Sequence, residues 1–479
     1  MSFREKVLSA LKWTLIGRVS TQFASWAITI LVMRLLAPED YGLVAMATVF
    51  SGLLALVAEV GLGSSMVQAQ EVSEQQRRQV FGIVILSNMA VVVSLVFVIG
   101  PLSAWFFDEP RLSQLLAVIS LQFLPAAFSV LPGALLDREM LYKGRNIVEF
   151  FASISGGLLT IALAYGGYGA WSLAWGTVLS AFVRAVGLNA ITPHHVLPSF
   201  HFQGSGQMFR FGRDITLNQL VYYLYGQADS FIIGKLLGKH DLGLYSVSMN
   251  LASLPASRIA SILNQVAFPA LSKVKRDGGD VKPYILASIR GISLIAFPVM
   301  WGMSSVAQEI VNGILGNQWA AAIAAFSILC LVMPLRVLGP IIHAGLQSVG
   351  RADVSFKNTC TAAVVMCISF VFGCRFGLTG LAITWVVVFP VVFIANLNRA
   401  RSHLGIRVTE VMVVLAKPIA ASVAMYGAVC FARPLLEGPP LINLGILALL
   451  GAVIYIGTSL MVNREGIAEA TRLLRPQKA

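Results

Sequence analysis

Apolar residues in this chain gather into runs of about 20 or more, divided by short connections that hold most of the charged and turn-forming residues. Runs of that length cross the hydrocarbon of a bilayer as helices. The pattern predicts fourteen spans, at 13–36, 41–67, 79–101, 113–136, 147–166, 169–189, 213–238, 241–268, 285–306, 319–346, 357–374, 379–399, 410–432 and 441–462. The fold class expected is therefore an all-α integral membrane protein. Three spans are not uniformly apolar. In the seventh, Asp214, Asn218, Tyr222, Tyr225 and Asp229 fall on one helical stripe about 80° wide. The eighth carries Ser246, Asn250, Ser253, Ser257, Ser261 and Asn264 with Arg258 at the shoulder, and the first carries Thr14, Arg18, Gln22, Ser25 and Thr29. Stripes bearing Arg18 or Asp229 fit poorly against lipid and predict a hydrated interior; the serine stripe is equally read as close helix packing through small residues.

The chain also repeats itself. RLLAPEDYGL at 34–43 returns as KLLGKHDLGL at 235–244, so that Leu35, Leu36, Asp40, Gly42 and Leu43 match Leu236, Leu237, Asp241, Gly243 and Leu244. A second echo pairs GYGAWSLAW at 167–175 with GLTGLAITW at 377–385. Six spans separate equivalent points, an even number, so the two copies share one orientation. Parallel repeats of this kind place a transported substrate between two halves. The expected organisation is an N-terminal six-helix lobe at 1–199, a second at 200–409, and two further helices with a tail at 410–479.

Composition agrees with a membrane location. Hydrophobic residues make up 57% and charged residues 12%, with mean hydropathy +0.78, whereas about 25% charge is usual in a soluble domain. The net charge of +13 is unevenly placed. The connections on the N-terminal side hold 20 of the 35 Lys and Arg residues, and the opposite connections hold Arg111, Lys239, Arg375 and Arg433. Positive residues stay on the cytoplasmic side, so both termini are expected there, with the chain crossing the membrane many times. Basic clusters with interleaved aromatics are absent, which argues against nucleic acid.

Catalytic chemistry finds little support. The longest outward connections are about a dozen residues, too short for an outer domain, and no CxxC, GxSxG, HExxH or Walker pattern occurs. His194, His195 and His201 share one linker without nearby Cys or carboxylate, so a solvated loop is a better reading than a metal site. Cys330, Cys360, Cys367, Cys374 and Cys430 lie in or at the ends of apolar spans and read as small core residues. No cofactor, no metal and no enzymatic activity are expected.

Function then rests on ionisable groups inside the spans, which are costly in hydrocarbon. Arg34, Arg184 and Lys235 lie near span ends, where long side chains reach the headgroups. Arg18, Glu59, Asp229, Arg258, Arg290, Arg336 and Lys417 lie deeper and are candidates for a central cavity or for ion pairs between helices.

ALKWTLIGR, RLLAPEDYGLVAMATVF, GLGSSMVQ, ADSFIIGKLLGKHDLGLYS and LNQVAFPALSKVK together resemble the polysaccharide-transporter branch of the multidrug/oligosaccharidyl-lipid/polysaccharide exporter superfamily, over nearly the whole chain. The nearest likeness is to Wzx-type flippases of the colanic-acid kind. That resemblance implies two six-helix lobes around a cationic cavity, two additional C-terminal helices, and an undecaprenyl-pyrophosphate-linked oligosaccharide as substrate. It implies contact between the anionic headgroup and Arg18 and Arg258. Guanidinium groups match phosphate oxygens bidentately, which extends the expected substrate-binding set to Arg290 and Arg336, with Asn218, Tyr222 and Tyr225 for the sugars. Asp229, then Glu59, are the candidates to carry a coupling H⁺ or Na⁺. Membrane lipids and polysaccharide polymerase or export machinery are the other partners expected.

Rival readings differ in substrate. A lipid II flippase shares the fold, and complementation separates the two. An ion-coupled drug exporter of the same superfamily wants an acidic cavity, against the arginine excess here. A membrane polymerase or glycosyltransferase wants a large outer loop or a DxD site, and neither is present. The charge bias yields a direct test: cysteines introduced at Gln70 or Asp277 should react only with cytoplasmic reagent, and one at Asn312 only with periplasmic reagent. Cytoplasmic labelling at Asn312 would contradict the fourteen-span topology.

Overall fold

Polar and turn residues set the helix ends as the hydropathy pattern requires. The computed structural model describes residues 22, 24–59, 73–139, 141–192, 197–201 and 206–462, without the side chains of 57, 59, 206–218, 221–222, 257–270 and 272–273. Each of the fourteen predicted spans coincides with helix among the described residues: α1 (Ala24–Leu35), α2 (Pro38–Glu59), α3 (Glu74–Phe107), α4 (Arg111–Arg138), α5 (Tyr142–Tyr165), α6 (Ala170–Ile191), α7 (Gly206–Leu236), α8 (Gly238–Arg276), α9 (Lys282–Ser305), α10 (Ala322–Ser348), α11 (Ala352–Cys374), α12 (Gly377–Leu404), α13 (Val408–Ala432) and α14 (Pro440–Val462). Arg18 lies outside the described residues. The side chains of Glu59, Asn218, Tyr222 and Arg258 do so as well. The connection after α9, expected as an outward loop, is helical through Ala307–Ile310 and a π turn at Val311–Leu315.

Large apolar side chains project outward in numbers no soluble protein tolerates, among them Phe97, Trp105, Leu449 and Val453, with Trp105 75% exposed. Exposed aromatics near helix ends, Trp105, Tyr165, Tyr168, Phe376 and Phe431, suit the amphipathic zone where hydrocarbon meets headgroups. The chain is a multi-pass membrane protein.

By contacts it divides into two units, Met1–Gly243 and Leu244–Ala479, the boundary falling in the second turn of α8. In the first unit α5 and α6 pack extensively, because Gly156 and Gly176 let the backbones approach. Burial of apolar surface does not drive helices together in lipid, so backbone approach at small residues carries that work. A Cβ on Gly156 would lie 2.6 Å from the Gly176 carbonyl oxygen. A second cluster joins α3 to α4 through Val80, Ile83, Val84, Ala127, Leu131, Ala134 and Leu135.

The second unit uses the same device between the equivalent helices. There a Cβ on Gly380 of α12 would lie 2.5 Å from the Gly373 carbonyl oxygen of α11. In the same unit Tyr245, Phe297, Trp319, Phe326 and Phe370 are almost wholly buried. The echo of GYGAW and GLTGL has a backbone cause as well. Gly167 (φ +80°) and Gly377 (φ +70°), at equivalent positions, both take the left-handed conformation that turns α5 into α6 and α11 into α12.

The longer repeat has a tertiary counterpart within the first unit. The Pro38 and Lys239 carbonyls, equivalent in the two copies, each pack against the glycine of the other copy: a Cβ on Gly42 would overlap the Lys239 oxygen, and one on Gly243 the Pro38 oxygen. Glu39 and His240, also equivalent, meet across this contact with Oε1 and Nδ1 2.6 Å apart. Lys239 Nζ reaches Glu109 Oε2 at 2.5 Å, and Lys235 Nζ donates to the Phe106 carbonyl and to Asp108. Asp40 joins the two echoes, since its Oδ1 accepts from the Ala170 amide at 3.0 Å at the start of α6. Gly42→Ala and Gly243→Ala should each cost about 1–3 kcal/mol by overpacking. The double variant should cost clearly less than the sum, because both Cβ atoms break one contact. Thermal denaturation of the detergent-solubilised protein reads this; strict additivity or unchanged melting would contradict the interlock.

Candidate functional site

A cavity of about 960 Å³ lies inside the first unit, walled by α2, α3, α4, α5 and α6. Small and polar residues open it: Ser51 and Gly52 on α2, Asn88 on α3, Ser129 and Gly133 on α4, and Thr177 on α6 all line the wall. Most of these polar groups satisfy themselves locally, as hydrocarbon requires. Asn88 Nδ2 donates to the Val84 carbonyl at 2.7 Å, and the Thr177 hydroxyl to that of Ala174 at 2.7 Å. Behind Gly52, α7 seats its Tyr223 hydroxyl on α2, donating to the Thr48 carbonyl at 2.8 Å.

Charge is confined to one end of the cavity. Arg184 Nε of α6 donates to Glu149 Oε2 of α5 at 2.9 Å, and Arg145 pairs with Asp137 across the turn between α4 and α5. All four side chains line the cavity and are partly exposed. The group sums to zero charge, with two guanidinium forks and two carboxylates able to exchange partners. Arg184 was expected to reach out to headgroups. It faces the cavity instead, because Glu149 stands at the same depth: seven residues past Tyr142 in α5, against seven before Ile191 in the antiparallel α6. Two complementary charges at matched depth in adjacent spans were a signal available in the sequence.

Among the described residues lining this cavity none belongs to the set expected from the sequence. Asp229, on α7, is 5% exposed, and its Oδ1 accepts from the Ser230 amide at 2.7 Å. Tyr225 and Arg290 are half-buried.

In the second unit Arg336 sits mid-helix in α10, where its Cζ lies 4.2 Å from the centre of the Trp385 ring of α12. Its Nη1 donates to Met249 Sδ of α8 at 3.1 Å. Trp385 is held from below, its Nε1 donating to the Tyr245 hydroxyl at 2.9 Å and its ring tilted against Phe370 and Phe389. The indole face stabilises the cation without neutralising it. Among the described residues no carboxylate pairs with Arg336, so its full positive charge is kept inside the span. The five cysteines are free thiols, and no group of His, Cys, Asp and Glu suited to a metal occurs among the described residues.

Known proteins place this architecture. Residues 31–324, more than half the chain, match the family model described as polysaccharide biosynthesis protein. Similar relatives include the lipopolysaccharide biosynthesis protein WzxC of Escherichia coli K12, 25% identical over 74% of this chain and 73% of its own length. The teichuronic acid biosynthesis protein TuaB of Bacillus subtilis 168 is 26% identical over 74% of each chain. The succinoglycan biosynthesis transport protein ExoT of Rhizobium meliloti 1021 is 24% identical over 78% of this chain and 76% of its own. Among solved structures, the lipid II flippase MurJ in an inward closed conformation superposes with TM-score 0.71 at 14% identity, over 96% of this chain and 100% of that one. An inward-facing multidrug MATE transporter follows with TM-score 0.63 at 17% identity, over 83% and 98%. The chain belongs to the polysaccharide biosynthesis protein family, as a Wzx-type transporter and not an enzyme.

Proposed function

We propose that this transporter flips undecaprenyl-pyrophosphate-linked oligosaccharide repeat units from the cytoplasmic to the periplasmic leaflet of a bacterial inner membrane, for exopolysaccharide or O-antigen assembly. Its termini are cytoplasmic in this reading, and the lobes at 1–199 and 200–409 alternate access to the substrate. The observation that carries the substrate class is Arg336, a guanidinium kept charged within a span on an aromatic face. Such a group is costly in hydrocarbon and suits an anionic ligand. A diphosphate also suits its planar fork better than it suits a lysine ammonium.

Arg18, Arg258, Arg290 and Arg336 form the headgroup set, and Asn218, Tyr222 and Tyr225 offer hydrogen bonds to sugars. The four-charge cluster at Asp137, Arg145, Glu149 and Arg184 adds donors that can leave their carboxylates when a stronger acceptor arrives. The prenyl tail stays in lipid. A lipid II flippase has the same fold, and the relatives' names favour polysaccharide repeat units over it.

Arg18→Ala and Arg258→Ala should each lower export at least tenfold at near-normal protein level, since a hydrogen bond to a charged group is worth about 1.5–3 kcal/mol. Lysine replacements should restore only part of it. Normal export by both alanine variants would overturn the headgroup assignment.

The membrane potential, negative inside, assists outward movement of an anion by about 2.3 kcal/mol per charge per 100 mV. A headgroup neutralised by the cavity arginines gains little of that drive, so a coupling proton or Na⁺ is part of the proposed mechanism. Asp229, buried in α7, is its carrier, with Glu59 as the second candidate. In a reconstituted flipping assay Asp229→Asn should retain downhill flipping and lose dependence on the ion gradient. Unchanged gradient dependence in that variant would remove Asp229 from coupling.

A further inference from the structure

A second pocket, of about 520 Å³, lies in the second unit, away from the charged residues used above. It forms where the helical segment after α9 meets the turn between α13 and α14. Its polar wall is Gln308, Glu309, Asn312, Arg433 and Asn443, with Cys430 at its side. Glu309 is 7% exposed. One of its oxygens, Oε1, accepts from Arg433 Nε at 2.8 Å, and Gln308 Oε1 accepts from the same guanidinium. The other oxygen, Oε2, is buried with no donor, and so is Oδ1 of Asn312. Asn443 is fixed by its own hydrogen bonds to the Leu436 and Gly438 carbonyls, at 3.3 and 2.9 Å.

Two buried acceptors without donors on one wall of a pocket are an arrangement that native proteins rarely leave unused. What they require is a ligand rich in donors. Charge narrows the class further. Arg433 already neutralises Glu309, so the pocket has no surplus negative charge to hold an alkali cation, and an anion would meet two acceptors. A neutral ligand carrying adjacent hydroxyls satisfies the carboxylate oxygen and the amide oxygen together, with the free edge of the Arg433 guanidinium as donor to a ring or hydroxyl oxygen. The volume lies within the range of small-molecule sites, about 300–1,000 Å³, well above what one water requires.

We propose that this pocket is a saccharide site for neutral sugar residues on the outer face of the membrane. The outer placement rests on the proposed topology, in which the connections bearing Asn312 and Arg433 are periplasmic, and on the proposed glycan cargo, which emerges on that side. The pocket takes a sugar ring of the translocated unit once it has crossed, biasing the headgroup toward release outward.

Cys430 provides a native reporter, because its thiol is free and exposed and it lines the pocket. The purified full-length protein is treated with an anionic methanethiosulfonate, and modification of the Cys430 peptide is followed by mass spectrometry. Glucose, galactose, mannose and their disaccharides are added in turn, with sodium chloride and choline chloride as separate arms. At least one neutral saccharide should slow modification threefold or more. Glu309→Gln should remove that protection, and so should Asn312→Ser, which leaves the pair between Glu309 and Arg433 in place. No protection by any saccharide, equal protection in both variants, or protection by sodium over choline without sugar would each overturn the proposal. Because the readout needs no transport, it stands or falls independently of flipping.

Discussion

Helices in a bilayer gain nothing by hiding apolar surface from one another, so this fold depends on places where backbones touch. Glycine supplies them. Gly156 against Gly176 joins α5 to α6, Gly380 against Gly373 joins α11 to α12, and Gly42 and Gly243 interlock the two copies of the repeated turn. Gly42 and Gly243 are counterparts in the two copies, which explains why duplication persists at that turn, whereas the α5–α6 and α11–α12 contacts use glycines at different positions and the lipid-facing residues have diverged. At those positions any apolar residue serves; at the contacts only the absence of a side chain does.

Charged groups follow a second constraint, that each must find a partner inside the protein or a use. Asp137, Arg145, Glu149 and Arg184 answer it by pairing at one end of the first unit's cavity. Arg336 answers it differently, through an indole face and a thioether that leave its charge available. Paired charges hold helices together and can open to a stronger ligand, whereas a cation held by an indole face and a thioether is ready for an anion from the start. The proposed transport of a phosphate-linked lipid uses both.

The spans and their duplication were readable from the sequence because hydropathy and repeat spacing are local properties. GYGAW and GLTGL matched for a reason that single residues carry, the left-handed glycine at Gly167 and Gly377. The charged end of the cavity was harder to read. Asp137 and Arg145 stand in a connection that positive-inside counting assigns to solvent, and Arg184 has the position of a snorkelling residue. Only the antiparallel pairing of α5 and α6 brings Glu149 beside it. The perch of Arg336 on Trp385 was beyond sequence reasoning, because it joins residues 49 apart on different helices and depends on Tyr245 holding the indole. The polar pocket at Glu309 was likewise hidden, since its segment reads as an outward loop and its partner Arg433 as a lone charge in a short connection.

The central claim is outward flipping of a lipid-linked oligosaccharide. Its most direct test is to delete the gene for this chain and identify the undecaprenyl-linked species that builds up, by mass spectrometry and by accessibility from each side of the inner membrane. The account predicts a complete repeat unit on a pyrophosphate lipid, confined to the cytoplasmic leaflet and released to the periplasmic side when the protein is restored. Accumulation of that species on the periplasmic side, or no accumulation while export stops, would contradict it.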